Sequence, residues 1–300
     1  MELHAPIPFA SRVRVPLVKT RLSSRLAWPG FLLLLCAPAV SFSQTPSPLQ
    51  EWQYSSGVIL QRLFEPDVPE WQVVLGVAAE EQPLYDGAHP YRVEAGPVIN
   101  IRYRDSAFFS VGEGVGMNIL SGDNYRAGIA LGFDLGRRVS DYSTHLQGLG
   151  DIARAPVIKL FASYAVSKQF PLVLRVDVRQ FVGGADGVIG DFAAYLPLPG
   201  SSKRLFMFAG PSITLADHLY MQKEFGVTAA QAAASAYPEF DAHGGANAVG
   251  LGFSATRLIT DQWLINLDAA VNRLLGSANA SPITQVSVQH VVAVSFAYKW

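Results

Sequence analysis

The chain has 300 residues, half of them hydrophobic and 16% charged, with a net charge of −1. That balance supplies no basic field for nucleic acid, and a mean hydropathy of +0.22 is high for a water-soluble protein and low for a bundle of spanning helices. The single cysteine, Cys36, lies in an N-terminal leader, so the remainder has no thiol for disulfides, thiolate metal sites or a cysteine nucleophile.

Residues 1–43 have the pattern of a cleaved export signal. Arg12, Arg14, Lys19, Arg21 and Arg25 precede an apolar block at 31–35, and Ser41-Phe42-Ser43 offers small residues for a cut before Gln44. Ala37-Pro38-Ala39 is a second candidate cut. The block is short and broken by Pro29 and Pro38, which argues against a spanning helix. Leu35 is bulky where a lipoprotein cut at Cys36 needs a small residue. Removing the leader leaves a net charge of −5. Residues 44–70 read as a proline-containing linker, with 54–64 as a candidate extra strand.

From Trp71 onward, short alternating segments are separated by turns rich in Gly, Asp, Asn and Ser. The clearest runs over 172–182. One face carries Leu172, Leu174, Val176 and Val178, and the other Val173, Arg175, Asp177 and Arg179. Arginines flanking an aspartate are costly in a dry core and cheap in a wet lumen, while the aliphatic face suits lipid. Residues 263–272 repeat the pattern: Trp263, Ile265, Leu267 and Val271 oppose Leu264, Asn266, Asp268 and Asn272. Segments 71–77 and 95–103 alternate as well. Less regular strands are expected near 107–118, 125–135, 156–167, 187–197, 204–214, 247–258 and 287–300. Trp71, Tyr103, Phe170, Trp263, Tyr298 and Trp300 sit at strand ends, as interfacial girdles require.

These eleven segments, each near the length of a tilted membrane strand, predict an all-β fold: a transmembrane antiparallel β-barrel. A single-chain barrel with both ends on one side has an even strand count, so twelve strands are expected, with 54–64 as the twelfth or one segment wrongly divided, and ten as the alternative. Working back from Trp300, the long links 136–155 and 215–246 fall outside the cell. Thr228 followed by an alanine-rich run to 236 predicts a short helix in the second of these extracellular loops, over or inside the barrel mouth. Val292, Val294, Phe296, Tyr298 and Trp300 alternate to the very end. Phe296, Tyr298 and Trp300 are the expected signal for the barrel-assembly machinery.

Several blocks carry a resemblance. Gly210-Pro211-Ser212, Ala216-Asp217, Tyr220-Met221-Gln222, Phe225-Gly226-Val227-Thr228 and Gln231-Ala232-Ala233-Ala234-Ser235 follow in order. Gly148-Leu149-Gly150-Asp151-Ile152, Gly183-Gly184-Ala185-Asp186-Gly187 and Gly250-Leu251-Gly252-Phe253-Ser254 agree as well. Over roughly 70–300 the chain resembles the MipA/OmpV family of outer-membrane proteins. The resemblance implies a non-enzymatic scaffold in the outer membrane of a Gram-negative bacterium, embedded in lipid. Its implied partners are a murein lytic transglycosylase and a bifunctional penicillin-binding protein. No catalytic motif comes with it.

Two further functions compete with the scaffold. A small-solute channel would use Arg175, Asp177, Arg179, Asn266 and Asp268 as polar lumen lining, with 215–246 as a partial plug. A lipid-acting rim hydrolase would need a serine, a histidine and an acid, for which Asp217-His218 and Ser212 are the nearest set. Adjacent residues of a strand face opposite ways, so Asp217-His218 is not in itself a dyad. Gly112-Glu113-Gly114-Val115-Gly116 lies within an expected strand and lacks the following helix of a phosphate loop. His243 with Asp241 and Glu239 could catch a metal, but two acids and one histidine in a loop read as a solvated set. No metal, cofactor or nucleic acid is expected.

Overall fold

The structure is a computed structural model that describes residues 70–167 and 171–300. Its strands are β1 (Trp71–Pro83), β2 (Tyr91–Tyr103), β3 (Ala107–Ser110), β4 (Gly114–Ser121), β5 (Tyr125–Asp134), β6 (Ala155–Ala165), β7 (Val173–Phe181), β8 (Val188–Pro197), β9 (Leu205–Ala216), β10 (Gly245–Leu258), β11 (Trp263–Leu274) and β12 (Val288–Lys299). Each pairs antiparallel with the next, and β1 pairs with β12 (Gly76 opposite Ala297), so the twelve-stranded sheet closes on itself. Closure leaves no edge of unpaired N–H and C=O groups, which lipid could not satisfy. Among the described residues no helix is long and apolar enough to cross a membrane.

The alternation explains which way each strand faces. On β6, Val157, Lys159 and Ser163 are buried while Ile158, Leu160 and Tyr164 are exposed. On β11, Asn266, Asp268 and Asn272 are buried against exposed Ile265, Leu267 and Val271. Large aliphatic side chains such as Leu131 and Leu251, each more than 60% exposed, continue this belt around the outside. A water-soluble protein does not expose so wide an apolar surface, whereas a bilayer requires one.

The twelfth strand lies in the segment expected to be a single strand at 107–118. That segment is a hairpin, β3 and β4, turning over Val111–Glu113, so the glycines at 112 and 114 make a turn and not a strand interior. Gly114 takes φ +80°, and a Cβ there would lie 2.1 Å from the Leu131 carbonyl oxygen. The expected strand at 54–64 lies outside the described residues, as do the leader and Phe170.

The links sort by length. β2–β3, β4–β5, β8–β9 and β10–β11 are joined at one end by short turns. At the other end lie 135–154, 217–244 and 275–287. These carry the helices α1 (Ser143–Leu146), α2 (His218–Phe225), α3 (Ala229–Ala234) and α4 (Gly276–Ala280). Trp71, Tyr103, Trp263, Tyr298 and Trp300 gather at the short-turn end, with Trp71 on Tyr103 at 4.7 Å and Tyr298 on Trp300 at 4.4 Å between ring centroids. The link 182–187 bends tightly, with positive φ at Gly183, Gly184, Asp186 and Gly187.

Candidate functional site

Two inner features distinguish this barrel: a filled mouth at the long-link end and a charged lumen toward the short-turn end. The mouth is built from α2. Asp217 caps it, its carboxylate accepting from the Tyr220 N–H at 2.9 Å, and the helix that follows turns Tyr220, Met221, Glu224 and Phe225 inward. Met221 and Phe225 are fully buried. They share one apolar cluster with Val157, Phe181, Ile189, Ala216, Ala248 and Leu274, inner residues of the six strands from β6 to β11. The helix therefore sits within the barrel wall.

A second cluster draws four links together. Tyr85 and Ala88 from 84–90 pack with Leu146, Leu149, Val227 and Ile283 from the three long links. The Tyr85 hydroxyl donates to the Ile283 carbonyl at 2.9 Å, and the Gln231 side-chain amide donates to the Leu149 carbonyl. Thr228 caps α3 in a reciprocal capping box with Gln231. The alanine-rich helix expected from the sequence is thus present, but it buries none of its residues. The plug is its neighbour α2.

Around the plug the ionic groups are mutually engaged. Arg137 donates to the Glu224 carbonyl oxygen at 2.7 Å, lies 3.5 Å from its carboxylate, and stands over the Tyr85 ring. Burial pushes the Asp86 carboxyl up to about 6, against the pull of Arg137 and Arg179. Burial, then the charges of Glu224, Asp86 and Asp134, hold the Tyr220 hydroxyl well above the usual tyrosine range. Both shifts run toward the neutral form.

Farther along the lumen, aromatic rings cross the bore. Tyr195 and Phe208 meet edge to face at 5.8 Å, with Phe206 beside them. They join Ala165 and Val173 of β6 and β7 to Ala270 and Val291 of β11 and β12 on the opposite wall. A charged lining runs along the wall around this layer and between it and the plug. Arg175 bonds Asp177 at 2.8 Å, and Arg179 pairs with Asp191, which also accepts from Thr214. Arg102 bonds Glu113 at 3.2 Å, and Arg126 holds Asp105 through both carboxylate oxygens. A cavity of about 30 Å³ lies among Arg102, Glu113, Arg126, Lys159, Phe161 and Arg175. That volume admits one or two water molecules.

The sequence-derived lumen candidates divide into two groups. Arg175, Asp177 and Arg179 line the charged wall with Glu113 and Asp191. Asn266 and Asp268 form a second polar group on β11, where the Asn266 amide donates to Asp268 and its carbonyl accepts from Thr256. The hydrolase set is not assembled. Asp217 serves as a helix cap, and the His218 Nδ1 lies 3.0 Å from the Ala242 carbonyl oxygen. Phe296 stacks on Trp263, and Tyr298 packs against Trp300.

A family profile described as MltA-interacting protein MipA matches residues 75–300. The chain belongs to the MipA family. The apolar belt around this closed MipA-family barrel, with its polar lining, spans the outer membrane. No curated protein matches the chain by sequence. By structure, the barrel is similar to the NanC porin, with 8% identity over 75% of this chain and 100% of that one at a TM-score of 0.39. It is also similar to the toluene transporter TodX of Pseudomonas putida, with 10% identity over 87% of this chain and 94% of that one at a TM-score of 0.36.

Sequence reasoning missed α2, Arg137, Asp86 and Glu113. The signal for α2 was Asp217 ahead of Tyr220, Met221, Glu224 and Phe225, an N-cap followed by positions that share one helical face. Nothing local marks Arg137 or Asp86, because their partners, Glu224 for the first and Arg137 and Arg179 for the second, are remote in the chain.

Proposed function

We propose that this MipA-family barrel is an outer-membrane scaffold for peptidoglycan-remodelling enzymes, presenting its short-turn rim to the periplasm. The partners are a murein lytic transglycosylase and, through it, a bifunctional penicillin-binding protein. The family description supports the first partner. The observation that carries a scaffold over a pore is the filled mouth: α2 buries Met221 and Phe225 against six strands, and links from four loops seal together above it. A barrel whose bore is occupied retains its rims and outer surface for contact. The long links face outward, following the usual arrangement of bacterial barrels, and the leader at 1–43 is removed on export.

The test is capture from detergent extracts. The folded barrel should retain a lytic transglycosylase, and repeated extracts yielding neither that enzyme nor a penicillin-binding protein would sink the proposal. The channel reading keeps one specific support, the basic cavity lined by Arg102, Arg126, Lys159 and Arg175. It requires single-channel steps in planar bilayers whose ion preference shifts in Arg175→Ala.

A further inference from the structure

We propose that His218, Asp241 and His243 form a binding site for a divalent transition-metal ion of the Zn²⁺ type on the outer face of the plug. One ligating atom from each residue falls in a group whose members all lie within 4.8 Å of one another. Two imidazoles and one carboxylate are the donor set that borderline metals such as Zn²⁺ prefer, and three protein ligands leave a position for water. The residues come from separate parts of the chain. His218 is the first residue of α2, whereas Asp241 and His243 lie at the end of the same link.

The backbone beneath the three side chains is held from several directions. Ala242 is buried, while Asp241 and His243 on either side of it are exposed, so both turn outward. The Ala242 N–H donates to the Gln222 side chain at 2.8 Å, and the His243 N–H donates to Ser277 Oγ at 3.0 Å. Gly244 permits the close approach: a Cβ there would lie 2.8 Å from the His218 backbone nitrogen. The two imidazole rings stack with centroids 6.3 Å apart, and His243 Nδ1 lies 3.7 Å from the Asp241 carboxylate.

The partner of His218 is itself informative. Its Nδ1 lies 3.0 Å from the Ala242 carbonyl oxygen, which assigns the proton to Nδ1 and leaves Nε2 with a lone pair. Histidines that bind metals are oriented in this way, with the non-ligating nitrogen donating to a carbonyl or carboxylate. Ligand atoms around a tetrahedral Zn²⁺ sit about 3.3 Å apart, given bonds near 2.0 Å. The exposure of all three side chains leaves them room to rotate toward that spacing. The bound ion would tie segment 241–243 to the N-terminus of α2 and so clamp the plug. The site depends on neither the scaffold nor the channel reading.

The experiment uses the full barrel without a histidine tag, folded in detergent, titrated with Zn²⁺ alone by calorimetry. One Zn²⁺ per chain is expected, with affinity lowered more than ten-fold in His218→Ala and in His243→Ala. Asp241→Asn should weaken it as well. His145→Ala and His290→Ala should leave it unchanged, since those histidines contact Tyr142 and Tyr91 elsewhere. Should His218→Ala fail to fold, His218→Gln replaces it. No saturable Zn²⁺ binding by the parent, or parent-like affinity in the folded His218 variant, would overturn the proposal.

Discussion

Asp86 sits half-buried in the 84–90 link, facing Arg137 and Arg179, and its carboxyl is raised from an ordinary 3.8 to about 6 because burial outweighs the two arginines. A carboxyl raised on folding binds its proton more tightly in the folded state. Its contribution to stability is therefore full below the ordinary value and is lost as pH rises through about 6. The plugged mouth should be more stable at pH 4.5 than at pH 8 by about 1 kcal/mol from this group alone, the modest figure suiting a half-buried side chain. Asp86→Asn should flatten that dependence and stabilise the plug at pH 8, measured by hydrogen exchange of the α2 amides. An unchanged pH profile in the variant would refute the assignment. Such a residue is illegible in sequence, since burial and both charges arrive through the fold. Arg175, Asp177 and Arg179 differ: their alternation with Leu174, Val176 and Val178 states which residues share a face, and only closure states what that face meets.

Elements were readable where period and length agreed. β7 and β11 follow from alternation alone, because each is near the length that crosses a bilayer and each has one aliphatic face. β3 did not, since four residues carry too little period to separate from β4, and the glycines between them could be read as strand or turn. Gly114→Val tests the hairpin. The left-handed φ and the clash with the Leu131 carbonyl predict a loss of at least 1–3 kcal/mol, seen as a lower midpoint for heat-modifiable unfolding. Parent-like unfolding would mean that the turn is placed wrongly. The final strand carries a second prediction at this scale. Phe296 and Tyr298 point outward beside Trp263, in the aromatic rim that meets the membrane interface. Replacing both with Asp, or deleting Trp300, should reduce the yield of folded protein in the outer membrane several-fold, with fractionation as the measurement. At the interface each Asp on the lipid face costs at most about 1 kcal/mol, which accounts for the direction without invoking recognition. If deletion of Trp300 alone is harmful, desolvation does not explain it, and the assembly-signal role gains support.

Across the whole molecule, the bore is obstructed twice in series. At the mouth, Met221 and Phe225 of α2 fill the space inside six strands. Farther in, Tyr195, Phe206 and Phe208 bridge opposite walls. A twelve-stranded barrel is wider than the eight-stranded kind, so closing it takes an inserted element or large side chains that meet across the bore. Ion flow through series obstructions is set by the tighter one. Replacing 217–244 with a short turn should therefore leave the barrel nearly silent in planar bilayers, and Phe206→Ala with Phe208→Ala should do the same. Combining the two should produce conductance steps. Around the cavity Arg102, Arg126, Lys159 and Arg175 stand against Glu113, Asp105 and Asp177, a small cationic excess, so the opened bore should weakly prefer anions. That preference should fall in Arg175→Ala within the opened background. Steps from the unmodified barrel would show that neither obstruction seals it and would favour transport over scaffolding. Silence of the combined variant, in protein that retains heat-modifiable folding, would mean that the charged wall itself closes the bore through the Arg102–Glu113 and Arg175–Asp177 pairs.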